Sequence, residues 1–323
     1  MLLVTLTGCG EEVAYPARAI NNVIPFGAGG GTDTWSRAVM SEMAQNMDCN
    51  ITSSNMTGGS AGSIGVNYSW EAAHDGYTLC GTSETPLTIP VQTGLEQTSK
   101  DWEFFIAAGS PGILCVNKDA AAQDLQGVID ALTADPESLS IAGTQGGLWF
   151  AQAKLFEAYA DLPFKWVAYD GSGPAIKGCY SGETDAVVAS AGELNEYIKS
   201  GDLIPIAVMD KADFDFPGYG NVAAVTSLVP ALEQYLPLQQ FLGFMVPKDT
   251  DKEIIETLQV SFHAAMKTDT ISAFAESQVA TIFDLTGDEA QAMAEEQESK
   301  LCWILYDMGQ TKFSPEDFGI EQP

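Results

Sequence analysis

The sequence predicts an α/β protein with mostly parallel sheets, and three observations point that way. Apolar, strand-like runs are twice followed by a glycine-rich turn and then a helical pattern, the order of a βαβ unit. An apolar content of 46% over 323 residues is enough to fill a core. The length favours two domains. Sheets of this kind bind ligands beyond the C-terminal ends of their strands, so the turns there are the first place to look for function.

Residues 20–26 carry Ile20, Val23, Ile24 and Phe26 and are expected to form a buried strand. The strand runs into Pro25-Phe26-Gly27-Ala28-Gly29-Gly30-Gly31-Thr32-Asp33, after which residues 34–47 space Trp35, Val39, Met43 and Met47 at helical intervals. A helix start leaves its first N–H groups unpaired and carries partial positive charge, and glycine admits a ligand close to the backbone. A carboxylate or phosphate fits there without a lysine. The same residues are compatible with a plain turn in which Thr32 or Asp33 caps the helix. A Walker loop is excluded because Thr32 and Asp33 follow Gly31, and the dinucleotide fingerprint lacks its third glycine and acidic ribose ligand. The device repeats in Thr57-Gly58-Gly59-Ser60-Ala61-Gly62-Ser63-Ile64-Gly65, which feeds a helix over residues 64–73. Asp75-Gly76-Tyr77-Thr78-Leu79-Cys80-Gly81 then turns into a short strand.

Fourteen basic against 44 acidic residues, a net charge of -30, exclude nucleic acid as a partner. Such a surface repels anions at long range, so an anionic ligand must be held by oriented dipoles at short range. A saline medium, with a Debye length of about 10 Å or less, would ease that capture. The acidity reads as surface adaptation or as a device for solubility. At the amino terminus Met1-Leu2-Leu3-Val4-Thr5-Leu6 is an apolar remnant, and Leu6-Thr7-Gly8-Cys9 has the pattern of a lipobox whose Cys9 would be lipidated. The run has no basic flank and is short for a signal peptide, so either the start lies late or the lipobox match is accidental. No other stretch approaches the roughly 20 apolar residues of a membrane span. The remaining cysteines, Cys49, Cys80, Cys115, Cys179 and Cys302, lack the paired spacing of a zinc site. Their odd number leaves at least one free thiol. Neither His74 nor His263, the two histidines, adjoins a nucleophile motif. No metal, cofactor or catalytic residue is expected.

Several motifs in order carry a family resemblance: Tyr15-Pro16-x-Arg18, the loop 25–33 with Arg37, Gly58-Gly59-x-Ala61-Gly62-x-Ile64-Gly65, and Asp75-Gly76-Tyr77-Thr78-Leu79. A second block, Tyr169-Asp170-Gly171-Ser172-Gly173-Pro174-Ala175 followed by Gly182-Glu183-Thr184-Asp185, agrees. Together they resemble the substrate-binding proteins of tripartite tricarboxylate transporters, the Bug-type receptors, over nearly the whole chain. The resemblance implies a type II periplasmic-binding-protein fold, with two α/β domains, two crossovers and an interdomain ligand cleft. Residues 1–14 would be the signal remnant and linker, 15–116 with 245–323 the first domain, and 117–244 the second. The crossovers would fall near residues 113–117 and 243–247. Residues 251–266, 273–280 and 288–306 read as helices, the last packing back on the first domain. The aromatic, turn-rich residues 214–222 read as a surface loop whose rings face a permease or pack on the second domain.

By resemblance, Phe26 and the loop Ala28, Gly29, Gly30, Gly31, Thr32 and Asp33 would receive one end of the ligand, with Thr82, Ser83 and Glu84 on the same side. Thr144, Gln145, Gly146, Tyr169, Ser172, Gly173, Pro174 and Ala175 of the second domain would close over the other end. Relatives carry hydroxyl residues and a histidine where this chain has Gly147-Leu148-Trp149-Phe150. Either Trp149 and Phe150 meet a flat or apolar ligand, such as an aromatic carboxylate, or they pack inward. Glu84 would favour an amine over a second carboxylate unless it is protonated or points to solvent. Arg37 and Lys177 are expected in structural ion pairs. The function implied is an extracytoplasmic monomeric receptor, tethered through Cys9 where the lipobox is processed, that delivers a small di-, tri- or aromatic carboxylate to membrane permease subunits. The alternatives are a sensing receptor for a signalling protein and an extracytoplasmic hydrolase, the latter without a Gly-x-Ser-x-Gly elbow to support it.

Overall fold

The computed structural model describes residues 14–323, so the lipobox with Cys9 lies outside the described residues. The chain begins with β1 (Ile20–Ile24), α1 (Gly31–Asn46), β2 (Ile51–Asn55), α2 (Ser63–Glu71), β3 (Thr78–Ser83) and α3 (Ile89–Thr93). Then come β4 (Trp102–Gly109), β5 (Gly112–Asn117), α4 (Leu125–Ala134), β6 (Ser140–Gly143), α5 (Leu148–Ala160) and β7 (Lys165–Ala168). They are followed by α6 (Ser172–Tyr180), β8 (Ala186–Ser190), α7 (Ala191–Ser200), β9 (Leu203–Val208), β10 (Phe214–Phe216) and β11 (Gly220–Val222). The chain ends with β12 (Leu242–Pro247), α8 (Lys252–Met266), α9 (Asp269–Ser277), β13 (Thr281–Leu285) and α10 (Gly287–Asp307).

Two sheets result, six strands in the order β13-β4-β12-β3-β1-β2 and five in the order β7-β6-β8-β5-β9. The glycine-opened units pair in parallel, β1 with β2 and β3, and β6 with β7 and β8. Where the sequence predicts mostly parallel sheets, both are mixed. Strands entering from the other sheet, β5 and β12, pair antiparallel with their neighbours, as does β13 with β4.

The first core is aromatic. Phe105 stacks on Phe244 at 4.3 Å, Phe262 meets both edge-on, and Trp35 of α1 meets Phe274. Burying each ring contributes about 1.5–3 kcal/mol, which explains the helical spacing of Trp35, Val39 and Met43 on the inward face of α1. The second core gathers Leu114, Ile141, Phe150, Phe156 and Val188.

Three expectations change. The passage from the first sheet to the second is Ser110-Pro111, ahead of residues 113–117. That apolar run is β5, fully buried because it is a strand flanked on both sides by β8 and β9. Residues 214–222 are a β-hairpin rather than a loop, with Phe216 and Val222 in a separate cluster around Ile113, Cys115 and Val187 of the second sheet and Tyr219 exposed near its turn. The last helix packs on both halves. Ala290 and Ala294 lie with Trp102 and Phe104, whereas Leu301, Ile304 and Leu305 join the second core. All five cysteines from Cys49 onward are unpaired. Among the described residues, no helix is long and apolar enough to cross a membrane.

Candidate functional site

Where the halves meet, two glycine-bearing loops press backbone to backbone. The Gly27 N–H donates to the Asp170 carbonyl at 2.8 Å. A Cβ on Gly173 would stand 2.7 Å from the Gly30 nitrogen and 2.8 Å from the Gly29 carbonyl carbon, so only glycine lets the loops approach this far. On the opposite rim the Thr88 hydroxyl donates to the Gly146 carbonyl at 2.7 Å. The glycines read as ligand-approach devices thus also seat one half against the other.

Between these rims lies a cleft onto which α1, α5 and α6 open. Each of the three begins at a glycine, Gly30, Gly147 or Gly171, with no side-chain cap. Elsewhere α4, α7, α8 and α9 are capped by Asp124, Ser190, Asp251 and Thr268, while α2, α3 and α10 have no side-chain cap. The helices facing the cleft therefore lack a cap from their own N-cap side chains and turn the positive ends of their dipoles toward it, although the Gly31 N–H of α1 is bonded to Glu193. Helix α1 begins at Gly31, three residues earlier than the periodicity indicates, and neither Thr32 nor Asp33 is its cap.

Asp33 has another task. It accepts from the Gly29 N–H at 2.9 Å, the Asn55 amide at 2.8 Å and Arg37 Nε at 2.8 Å. Burial opposes its charge, but the Gly29, Asn55 and Arg37 donors outweigh burial and hold the carboxyl below its ordinary value. Arg37 also reaches the Ser53 carbonyl and the Asn55 side chain, the structural ion pair expected of it. Lys177 is exposed and makes no ion pair among the described residues.

Glu84 is buried, accepting from the Phe241 N–H at 3.0 Å and from the Thr85 hydroxyl at 3.3 Å. Burial pushes its carboxyl up to about 8, and the neighbouring Glu193 adds to the rise against the hydrogen bonds that oppose it. At neutral pH Glu84 is therefore mainly protonated.

Glu193 is the residue that sequence reasoning missed. One oxygen accepts from the Gly31 N–H at 2.6 Å and from the Ser172 hydroxyl. The other accepts from the Ser190 hydroxyl at 2.6 Å and the Ser190 N–H at 3.3 Å, in a capping box. Ser190-x-x-Glu193 is legible in sequence as a helix start; its reach to α1 is not.

Of the expected residues, Phe26, Gly30, Gly31, Thr32, Ser83, Glu84, Thr144, Trp149 and Ser172 line the cleft, and Gln145 and Tyr169 line an adjoining recess. Ala28 and Gly29 are exposed on the loop, Gly173 and Pro174 pack against it, and Ala175 is buried in the cluster with Ile113, Cys115 and Val187. Thr82 is buried in β3, and Gly146 lies against Gln92. Thr85, Gly147, Gln240 and Leu242 line the cleft without having been expected there. The two rings of residues 149–150 divide: Phe150 packs edge-on against Trp166 in the core, and Trp149, 7% exposed, borders the cleft. The free volume is about 30 Å³, room for about two waters, so a carboxylate of several carbons needs the halves to part. Neither histidine lines the cleft; His74 is bound to Asp249 and His263 to Asp284.

Two α/β halves, joined by connections that pass from one sheet to the other and opening helix starts onto a shared cleft, define a two-domain solute-binding protein. The chain belongs to the TctC family, the tripartite tricarboxylate transporter family receptors, which it matches over residues 36–309. This is a family of binding proteins, not of enzymes. Protein BugT of Bordetella pertussis is 24% identical over 305 residues, covering 91% of this chain and 90% of that protein. The periplasmic binding protein BugD superposes with a TM-score of 0.83 at 19% identity, covering 92% of this chain and 99% of its own. MatC from Rhodopseudomonas palustris with bound malate superposes at 0.80 and 19% identity, covering 90% and 100%. R. palustris Rpa4515 with adipate reaches 0.82 at 19%, covering 92% and 99%.

Proposed function

We propose that this protein is an extracytoplasmic solute receptor that captures a small carboxylate between its two halves and hands it to the membrane subunits of a tripartite tricarboxylate-type transporter. One observation carries the reading: the three helices that open onto the cleft all start at glycine and lack a side-chain cap. Such starts, that of α5 with its N–H groups clear of Glu193 above all, suit an anion without any lysine or arginine, and among the described residues the cleft lining contains neither. Adipate and malate in structural relatives belong to the same chemical class. Binding would favour the closed arrangement, the form a permease could recognise, with no bond made or broken.

The test is a thermal-shift screen of aliphatic dicarboxylates, tricarboxylates, aromatic carboxylates and amino acids. A ligand at about 100 times its dissociation constant stabilises by about 2.7 kcal/mol, a rise of a few degrees. At least one carboxylate is expected to give that rise. No shift from any of them at millimolar concentration refutes the reading. The Trp149 ring makes a finer expectation: Trp149→Ala weakens aromatic acids more than aliphatic ones if it stacks on the ligand.

A further inference from the structure

We propose that Glu193 sets the solute class of the cleft, excluding a second ligand carboxylate from the start of α1 and selecting a solute with one carboxylate and, at its other end, a hydroxyl or ammonium donor. The inference rests on the carboxylate-receptor reading and narrows it.

Glu193 belongs to the first turn of α7, yet its carboxylate lies between the starts of α1 and α6, bonded to the Gly31 N–H at 2.6 Å and to the Ser172 hydroxyl. Three helix starts thus direct positive ends toward one side-chain carboxylate. Its second oxygen is pinned by Ser190, so four hydrogen bonds fix its position. Two donors that would attract a ligand anion at this end, the Gly31 N–H and the Ser172 hydroxyl, are therefore already satisfied by an anion of the protein.

Dipoles and hydrogen bonds hold that charge, but no side-chain cation does: among the described residues no lysine or arginine lines the cleft, and Arg37 is taken by Asp33, Asn55 and the Ser53 carbonyl. The neighbouring Glu84 is kept neutral by burial, with Glu193 contributing. A ligand carboxylate placed here would set like charges side by side away from water. A hydroxyl or ammonium would instead donate to Glu193, taking the place of the Gly31 N–H when the halves part to admit the solute. The uncapped start of α5 at Gly147, which also lines the cleft, remains for the single ligand carboxylate.

The experiment measures dissociation constants calorimetrically for chain-matched probes: succinate against γ-hydroxybutyrate and γ-aminobutyrate, and adipate against ε-aminocaproate. In wild type at least one donor-ended acid is expected to bind about tenfold tighter than the matching dicarboxylate. Glu193→Gln, which keeps an acceptor for Gly31 and removes the charge, should narrow that ratio to within about threefold. Tighter binding of the dicarboxylates by wild type overturns the proposal, and so does a variant that weakens both classes alike. The wild-type ratio decides the matter even if the variant fails to fold. Absence of binding by every probe is a separate failure, one that removes the carboxylate reading and the proposal with it.

Discussion

Gly173→Ala separates closure of the halves from their folding. The added Cβ would meet the Gly30 nitrogen at 2.7 Å, the Gly29 carbonyl carbon at 2.8 Å and the Ala28 oxygen at 2.9 Å, all backbone atoms that cannot rotate aside. Restoring ordinary contact moves the loops apart by roughly 0.5–0.8 Å. The 2.6 Å bond from Gly31 to Glu193 and the 2.8 Å bond from Gly27 to Asp170 then stretch to the edge of hydrogen-bonding range. Weakening both costs the closed arrangement about 2 kcal/mol, which lowers ligand affinity roughly thirtyfold. The fold is spared, because Gly173 lies in α6 and alanine there favours the helix by up to about 1 kcal/mol. Calorimetric titration with the carboxylate giving the largest thermal shift reads the first effect, and thermal unfolding of the free protein reads the second. Affinity within about twofold of wild type would refute the account of closure.

Three further outcomes follow from the same packing. Glu84 binds its proton more tightly folded than unfolded, since burial lifts its carboxyl from 4.5 to about 8. Its contribution to stability is therefore greatest below pH 4.5 and is lost as pH rises toward 8. Glu84→Gln should match wild type near pH 4 and exceed it near pH 9 by a few kcal/mol in denaturant unfolding; a constant difference across that range contradicts the burial argument. Asp33→Asn removes the charge that holds Gly29, Asn55 and Arg37 together and should cost about 1–3 kcal/mol, measured by the same unfolding; an unchanged midpoint would mean that Asp33 does not secure the loop. Leu301→Ala, in the part of α10 seated in the second core, should cost about 2–5 kcal/mol, and calorimetric scanning should show both halves melting earlier together.

What the sequence determined by itself is local. The apolar run at Ile20, Val23 and Ile24, the glycines after it and the spacing of Trp35, Val39 and Met43 specify strand, turn and helix, because those signals lie within one turn or one strand of each other. The helices now seen at Lys252–Met266 and Gly287–Asp307 were legible for the same reason. Residues 113–117 show where this ends: a buried strand and an apolar crossover look alike, and only pairing with β8 and β9 places the run in the second sheet. Phe216 and Val222 became a hairpin through the core beneath them, and Leu301, Ile304 and Leu305 found their partners in the other half. The site divides in the same way. A capping box at Ser190 and Glu193 and an uncapped glycine start at Gly31 are each visible alone. That they complete one another across 162 residues was decided by the packing of two sheets, because hydrogen bonding acts over about 3 Å of space, whatever the separation along the chain.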